Sequence, residues 1–183
     1  TEIYTLSLHD ALPISEDTSD GSGTLTVADT DTNEATFTAV STETASVSGY
    51  GTYTITSGGV WAYTLTDSNS AVQALALAAT MTDTFSVTSS DGTAQTITIT
   101  ITGINDAATI GGTSTGGATE DTSDGSGTLT VTDTDTNENT FTAVSTETAS
   151  VSGYGTYTIT SGGVWAYTLT DSNSAVQALA LAA

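Results

Sequence analysis

Residues Glu16–Ala79 return almost unchanged as Glu120–Ala183, and this repeat limits the fold more than any other feature of the chain. A shift of 104 residues carries Trp61 onto Trp165 and Gln73 onto Gln177, and only Ala28/Thr132 and Ala35/Asn139 differ. A period of about 100 residues is too long for a solenoid turn or a propeller blade, and it is the size of a domain with its own core. The chain therefore reads as tandem domains, residues 15–106 and 107–183.

Residues 1–14, TEIYTLSLHDALPI, fall outside that register. They hold the only Pro (Pro13) and the only His (His9), and they do not match Asn105–Ala118. The segment resembles the translation of a sequencing-library adapter and is read as non-native, to be set aside like a tag. On this reading the first repeat lacks its first strand, and the second stops before its last two.

Each repeat alternates apolar residues with Thr and Ser at period two, the signature of a half-buried strand. The expected strands are Gly23–Val27, Thr36–Val40, Gly51–Thr56, Val60–Thr66, Asp83–Thr88 and Thr96–Thr102, with Ala108–Ile110 opening the second repeat. Ser57-Gly58-Gly59 and Ser90-Asp91-Gly92 are hairpin turns. Trp61, Tyr53, Tyr63 and Phe85 fall on inward positions. Only Ala71–Ala79 has a helical pattern, with Val72, Leu75 and Ala79 on one side, and it reads as one or two turns inside a connection. Short strands broken by turns, with no long helix, predict an all-β fold: tandem immunoglobulin-like or cadherin-like antiparallel β-sandwiches, the second truncated.

Composition removes whole classes of function. The chain has 21 acidic residues and no Lys or Arg. Binding to nucleic acid rests on cationic contacts to phosphate, and binding to anionic membranes rests on basic clusters, so neither partner is expected. Without Cys there are no disulfides and no thiolate chemistry. No apolar run approaches the roughly 20 residues of a membrane helix. With His9 set aside, no His, Lys or Cys remains for a catalytic triad or a Schiff base. Only carboxylates are left for acid–base work. A paired-carboxylate hydrolase would need a cleft that a short sandwich seldom offers, so the chain is not expected to be an enzyme.

Four pieces in order, GYGTYTITSGGVWAYTLT, SNSAVQALA, DTFSVTSSDGT and TITITITGINDAA, resemble the VCBS repeat over nearly all of residues 15–183. One departure is Ile104, where that family usually shows Thr. The resemblance implies a cadherin-like domain of a very long bacterial surface or secreted protein, extracellular, with adhesion as its inferred role and no catalysis.

The acidic segments Asp29–Glu34 and Asp133–Glu138 open like an EF-hand but lack its glycine and its twelfth-position carboxylate, so an EF-hand is rejected. A strand-by-strand walk through a sandwich gives another grouping. Glu16, Asp17, Asp67, Asn105, Asp106, Asp133 and Asp135 would converge where one repeat joins the next. With no cationic side chain nearby such a cluster repels itself. Ca²⁺, which takes 6–8 oxygen ligands, would resolve that. A solvated acidic rim is the alternative. The leading expectation is a structural spacer of an adhesin, stiffened by calcium at its junctions, with neighbouring repeats as its partners and host or biofilm ligands met through other domains. A carbohydrate-binding module, with Tyr50 as its candidate exposed aromatic, remains open. So do an accessory domain of a secreted enzyme and ice binding on the Thr96, Thr98, Thr100, Thr102 row.

Overall fold

The computed structural model describes residues 7–8, 14–17, 20–31 and 33–179. The chain divides into two compact units, Thr1–Asn105 and Asp106–Ala183. Most of the segment read as adapter-derived lies outside the described residues.

The first unit is an all-β sandwich. Its elements are β1 (Ser7–Leu8), β2 (Ile14–Ser15), β3 (Gly21–Thr26), β4 (Val40–Ala45), β5 (Gly51–Ile55), β6 (Val60–Leu65), the single turn α1 (Ser70–Gln73), β7 (Thr80–Thr88) and β8 (Ala94–Thr102). One sheet runs β1-β3-β6-β5-β4 and the other β2-β8-β7. All pairings are antiparallel except β2 with β8. Alternation fixes which side chains meet between the sheets. Leu25, Ile55, Trp61, Tyr63 and Leu65 come from the first sheet, and Phe85, Val87, Ile97, Ile99 and Ile101 from the second. Phe85 is the hub: Tyr53 stacks on it at 4.2 Å, and Trp61 meets it edge-on at 5.7 Å. Such pairs contribute about 0.5–1.5 kcal/mol each beyond the area they bury. The β5–β6 turn needs glycine at Gly59. Its φ is +85°, and a β-carbon there would collide with the carbonyl oxygen of Leu25.

Two expectations are corrected, and a third is narrowed. The strand expected at Thr36–Val40 lies further on, at Val40–Ala45. Phe37 makes a single bridge to Ser89, Thr38 donates to the Thr88 carbonyl at 2.8 Å, and the chain then crosses to pair with β5. Beyond Val40 the strand carries no large apolar residue and is exposed along its length, so alternation could not reveal it. The helix is a single turn, within the one or two turns expected in Ala71–Ala79. Asn69 caps it by accepting from the Ala71 amide, and Val72 is its buried anchor. The chain then leaves helical geometry, with Ala78 at φ +62° and its amide on the Gly103 carbonyl. Finally, the first strand's place is filled. Ser7–Leu8 pairs with Thr26–Leu25, the register that Gly111–Gly112 keeps with Thr130–Leu129. Ile14 is 1% exposed and pairs with Ile101. Edge pairing uses only backbone groups, so any extended segment can supply it.

The second unit builds β9 (Thr109–Gly112), β10 (Gly125–Thr132), β11 (Val144–Ala149), β12 (Gly155–Ile159), β13 (Val164–Leu169) and the turn α2 (Ser174–Gln177). Its opening strand begins one residue later than expected and runs two further. These strands form one sheet, β11-β12-β13-β10-β9, and the described residues of this unit include no second sheet. Trp165, Tyr167 and Leu169 are consequently half-buried where Trp61, Tyr63 and Leu65 are buried. The Trp165 indole donates to the Thr113 carbonyl at 2.7 Å. The Trp61 indole is buried with no acceptor among the described residues, and the matching position, His9, lies outside them.

Candidate functional site

The expected ligands fall into separate groups within each unit. In the first unit Glu16 is 1% exposed and accepts the Ile104 amide at 2.7 Å, so a buried carboxylate holds the end of β8. Asp17, at φ +62°, accepts from the Gln73 side-chain amide at 2.8 Å. Asp67 and Asn105 are exposed. Asp29, Asp31 and Glu34 lie with carboxylate oxygens within 4.8 Å of one another and are mostly exposed.

In the second unit the same loop is drawn inward. Asp133, Asp135 and Glu138 bring carboxylate oxygens within 4.8 Å, and Asp135 is 1% exposed. Asp135 receives the Asp106 amide at 2.8 Å on Oδ2, while its Oδ1 is buried with no hydrogen-bond partner among the described residues. A buried carboxylate oxygen without a donor is costly. An all-oxygen set with one oxygen awaiting a partner suits a hard divalent cation such as Ca²⁺. Glu138 belongs to this group, although the strand walk did not select it. Its signal was the Asp-Thr-Asp-Thr-Asn-Glu segment itself. Asp171, the counterpart of Asp67, instead accepts the Asp121 amide at 3.2 Å.

A second polar site lies inside the first unit and was not expected at all. Asp83 on β7 is 0% exposed. Its carboxylate accepts from the Ser46 hydroxyl, from Tyr63 Oη at 2.7 Å, and from the amides of Ser48 at 3.0 Å, Tyr50 at 3.2 Å and Thr84 at 2.8 Å. Burial alone would raise this carboxyl, but the bonds from Ser46, Tyr63, Ser48 and Thr84 outweigh it and hold it below the ordinary value. Tyr63 moves the other way: burial first, then its bond to Asp83, pushes the phenol well above the usual range. Tyr50, the candidate ligand platform, is half-buried and packs against the core.

The family model of the bacterial cadherin-like domain matches residues 6–103. The chain belongs to the bacterial cadherin-like domain family. Domains of this family are structural and non-catalytic, and they occur typically in extracellular surface proteins. No curated protein matches the chain. The match falls on the first cadherin-like unit, and the second repeats most of that unit's sequence. Among the described residues no helix is long and apolar enough to cross a membrane.

Proposed function

We propose that this chain is a non-catalytic spacer of VCBS type in a large bacterial surface or secreted adhesin, and that Ca²⁺ on its acidic loops stiffens the array. One observation carries the spacer reading. Two nearly identical sequences follow one another, and a four-residue stretch, Gly103–Asp106, leads from one to the next. Duplication of whole domains lengthens a protein without adding chemistry. The calcium reading is supported by the all-oxygen group Asp133, Asp135 and Glu138 and by the buried Asp135 Oδ1. Along the chain, Ile104 is anchored by Glu16 and Asp106 by Asp135, so acidic side chains hold the amides on both sides of Asn105. An ion that also engaged Glu16, Asp17, Asp67, Asn105 or Asp106 would fix that segment, and without it charge repulsion and Gly103 would let it bend. The site lies outside the cell, where calcium is plentiful relative to weak extracellular sites.

Small-angle scattering and calorimetry on the intact chain test this. At a calcium concentration about 100-fold above Kd, binding adds about 2.7 kcal/mol to stability, so EGTA lowers Tm and broadens the distribution of end-to-end distances. Scattering and melting curves that coincide with and without chelator would overturn the calcium reading and leave the spacer reading to be judged on the complete gene.

A further inference from the structure

One pairing in the first unit differs from all the others among the described strands. β2 and β8 lie side by side and run in the same direction, with Ile14 beside Ile101 and Ser15 beside Thr102. The chain comes in along β2 and goes out past the end of β8. Tension along the chain therefore draws β2 backward and β8 forward, so the two strands must slide past each other. Every rung between them is strained at once, and none can yield alone. An antiparallel hairpin pulled at its open end gives way one rung at a time instead.

Glu16 lengthens this short ladder in two ways. Its amide donates to the Thr102 carbonyl at 3.1 Å, one residue beyond β2. Its carboxylate accepts the Ile104 amide at 2.7 Å, two residues beyond β8. A charge-assisted bond is shorter and stronger than a neutral one, and burial of Glu16 at 1% exposure shields it from competing water. Both sliding strands are also held on their other sides. Ile14 is buried in the core, where its Cδ1 leaves no room for a β-carbon on Gly21. Gly103 donates to the Ala79 carbonyl at 2.8 Å and accepts the Ala78 amide at 3.0 Å. That approach requires glycine, since a β-carbon at Gly103 would lie 2.4 Å from the carbonyl oxygens of Leu75 and Ala76.

We propose that the parallel β2–β8 pair, extended by the Glu16 carboxylate on the Ile104 amide, is a shear clamp that makes the first unit resist tension along the chain. Glu16 is its outermost rung and meets the load first, because Ile104 is the first residue past β8 that the chain must pull free. Forced unfolding is governed by the rate of barrier crossing, so a bond that must break at the barrier sets the lifetime under load. Use of the clamp in a surface array under tension rests on the spacer reading. Loading a single unit tests the clamp alone, and its failure would leave that reading standing.

The chain has no cysteine, so pairs of introduced cysteines can carry DNA handles for optical tweezers on the intact chain. Thr1→Cys with Ala107→Cys loads β2 against β8. Gly58→Cys with Ala94→Cys loads the opposite end of β8, where Phe37 pairs with both Ser57 and Ser89, and opens the two sheets like a book. Gly58, Ala94 and Ala107 are exposed, and a β-carbon on Gly58 meets nothing closer than 3.9 Å. At the same constant load the unit should survive at least about tenfold longer in the first geometry than in the second. Glu16→Ala should shorten the lifetime about tenfold in the first geometry and by less than about twofold in the second. Equal shortening in both would mean that Glu16 only stabilises the fold, and it overturns the proposal. A natural chain that yields no more slowly in the first geometry than in the second overturns it as well. This second comparison keeps Glu16 in place, so it decides the matter even where Glu16→Ala does not fold.

Discussion

Asp83 occupies a position that period-two geometry would give to an apolar side chain. It shares a face with Phe85 and Val87 and is as buried as they are. Four of its five donors, from Ser46, Ser48, Tyr50 and Tyr63, lie outside β7 and tie it to the other sheet, and hydrogen bonds to a charged group contribute about 1.5–3 kcal/mol each when they replace water. Asp83→Ala strands those donors and should cost about 3 kcal/mol in urea unfolding. The pH dependence has a definite sign. The folded carboxyl lies below its unfolded value, so the stabilisation is complete above the unfolded pKa of about 4 and is lost as pH falls through the folded value. The gap in unfolding free energy between the natural chain and Asp83→Asn should therefore be widest near neutrality and shrink below about pH 4. A gap that stays constant down to pH 3 would mean that the charge plays no part. Asp83 was legible in principle, since its phase with Phe85 is written in Asp-Thr-Phe-Ser-Val. Its donors were not, because two are backbone amides of a loop whose path depends on where β4 ends.

Strand β8 divides its two faces sharply. Ile97, Ile99 and Ile101 are 0% exposed, while Thr96, Thr98 and Thr100 face outward. Opposite them on β7 stand Ser86, Thr84 and Thr82, so the outer face of the hairpin is a double row of hydroxyls. Ile99→Ala should cost about 2–5 kcal/mol, and Thr98→Ala, one residue away, less than about 0.5 kcal/mol. Thermal melts of the two variants check the pair, and comparable losses would mean that the strand register is wrong. Elements with such contrast were readable residue by residue: the strands around Tyr53, Trp61, Phe85 and Ile99 all lie where alternation puts them. Elements without contrast were not. Strand β4, exposed almost throughout, is held by backbone pairing to β5, and beyond α1 the chain is held by Gly103, whose carbonyl accepts the Ala78 amide and whose amide donates to the Ala79 carbonyl. Both outcomes are set by tertiary partners, which local composition does not encode. The acidic loops show the same division. Asp133 and Asp135 were identifiable from their spacing, whereas the burial of Asp135 depends on the backbone at Asp106.

At the scale of the whole molecule, a formal charge of −21 with no Lys or Arg leaves solvent ions as the main screen between carboxylates. The Debye length falls from about 30 Å at 0.01 M salt to about 3 Å at 1 M. Raising sodium chloride over that range should lift Tm by about 5 °C, and potassium chloride should do the same, which separates screening from a specific calcium effect. A melting temperature indifferent to salt would mean that the charges are already neutralised by bound cations. The order of elements also bears on how the chain is made. The sheet that carries β3 to β6 has left the ribosome before the Thr80–Thr102 hairpin does, and only the short segment around α1 separates β6 from β7, so loop closure lets the hairpin find its own sheet as soon as it emerges.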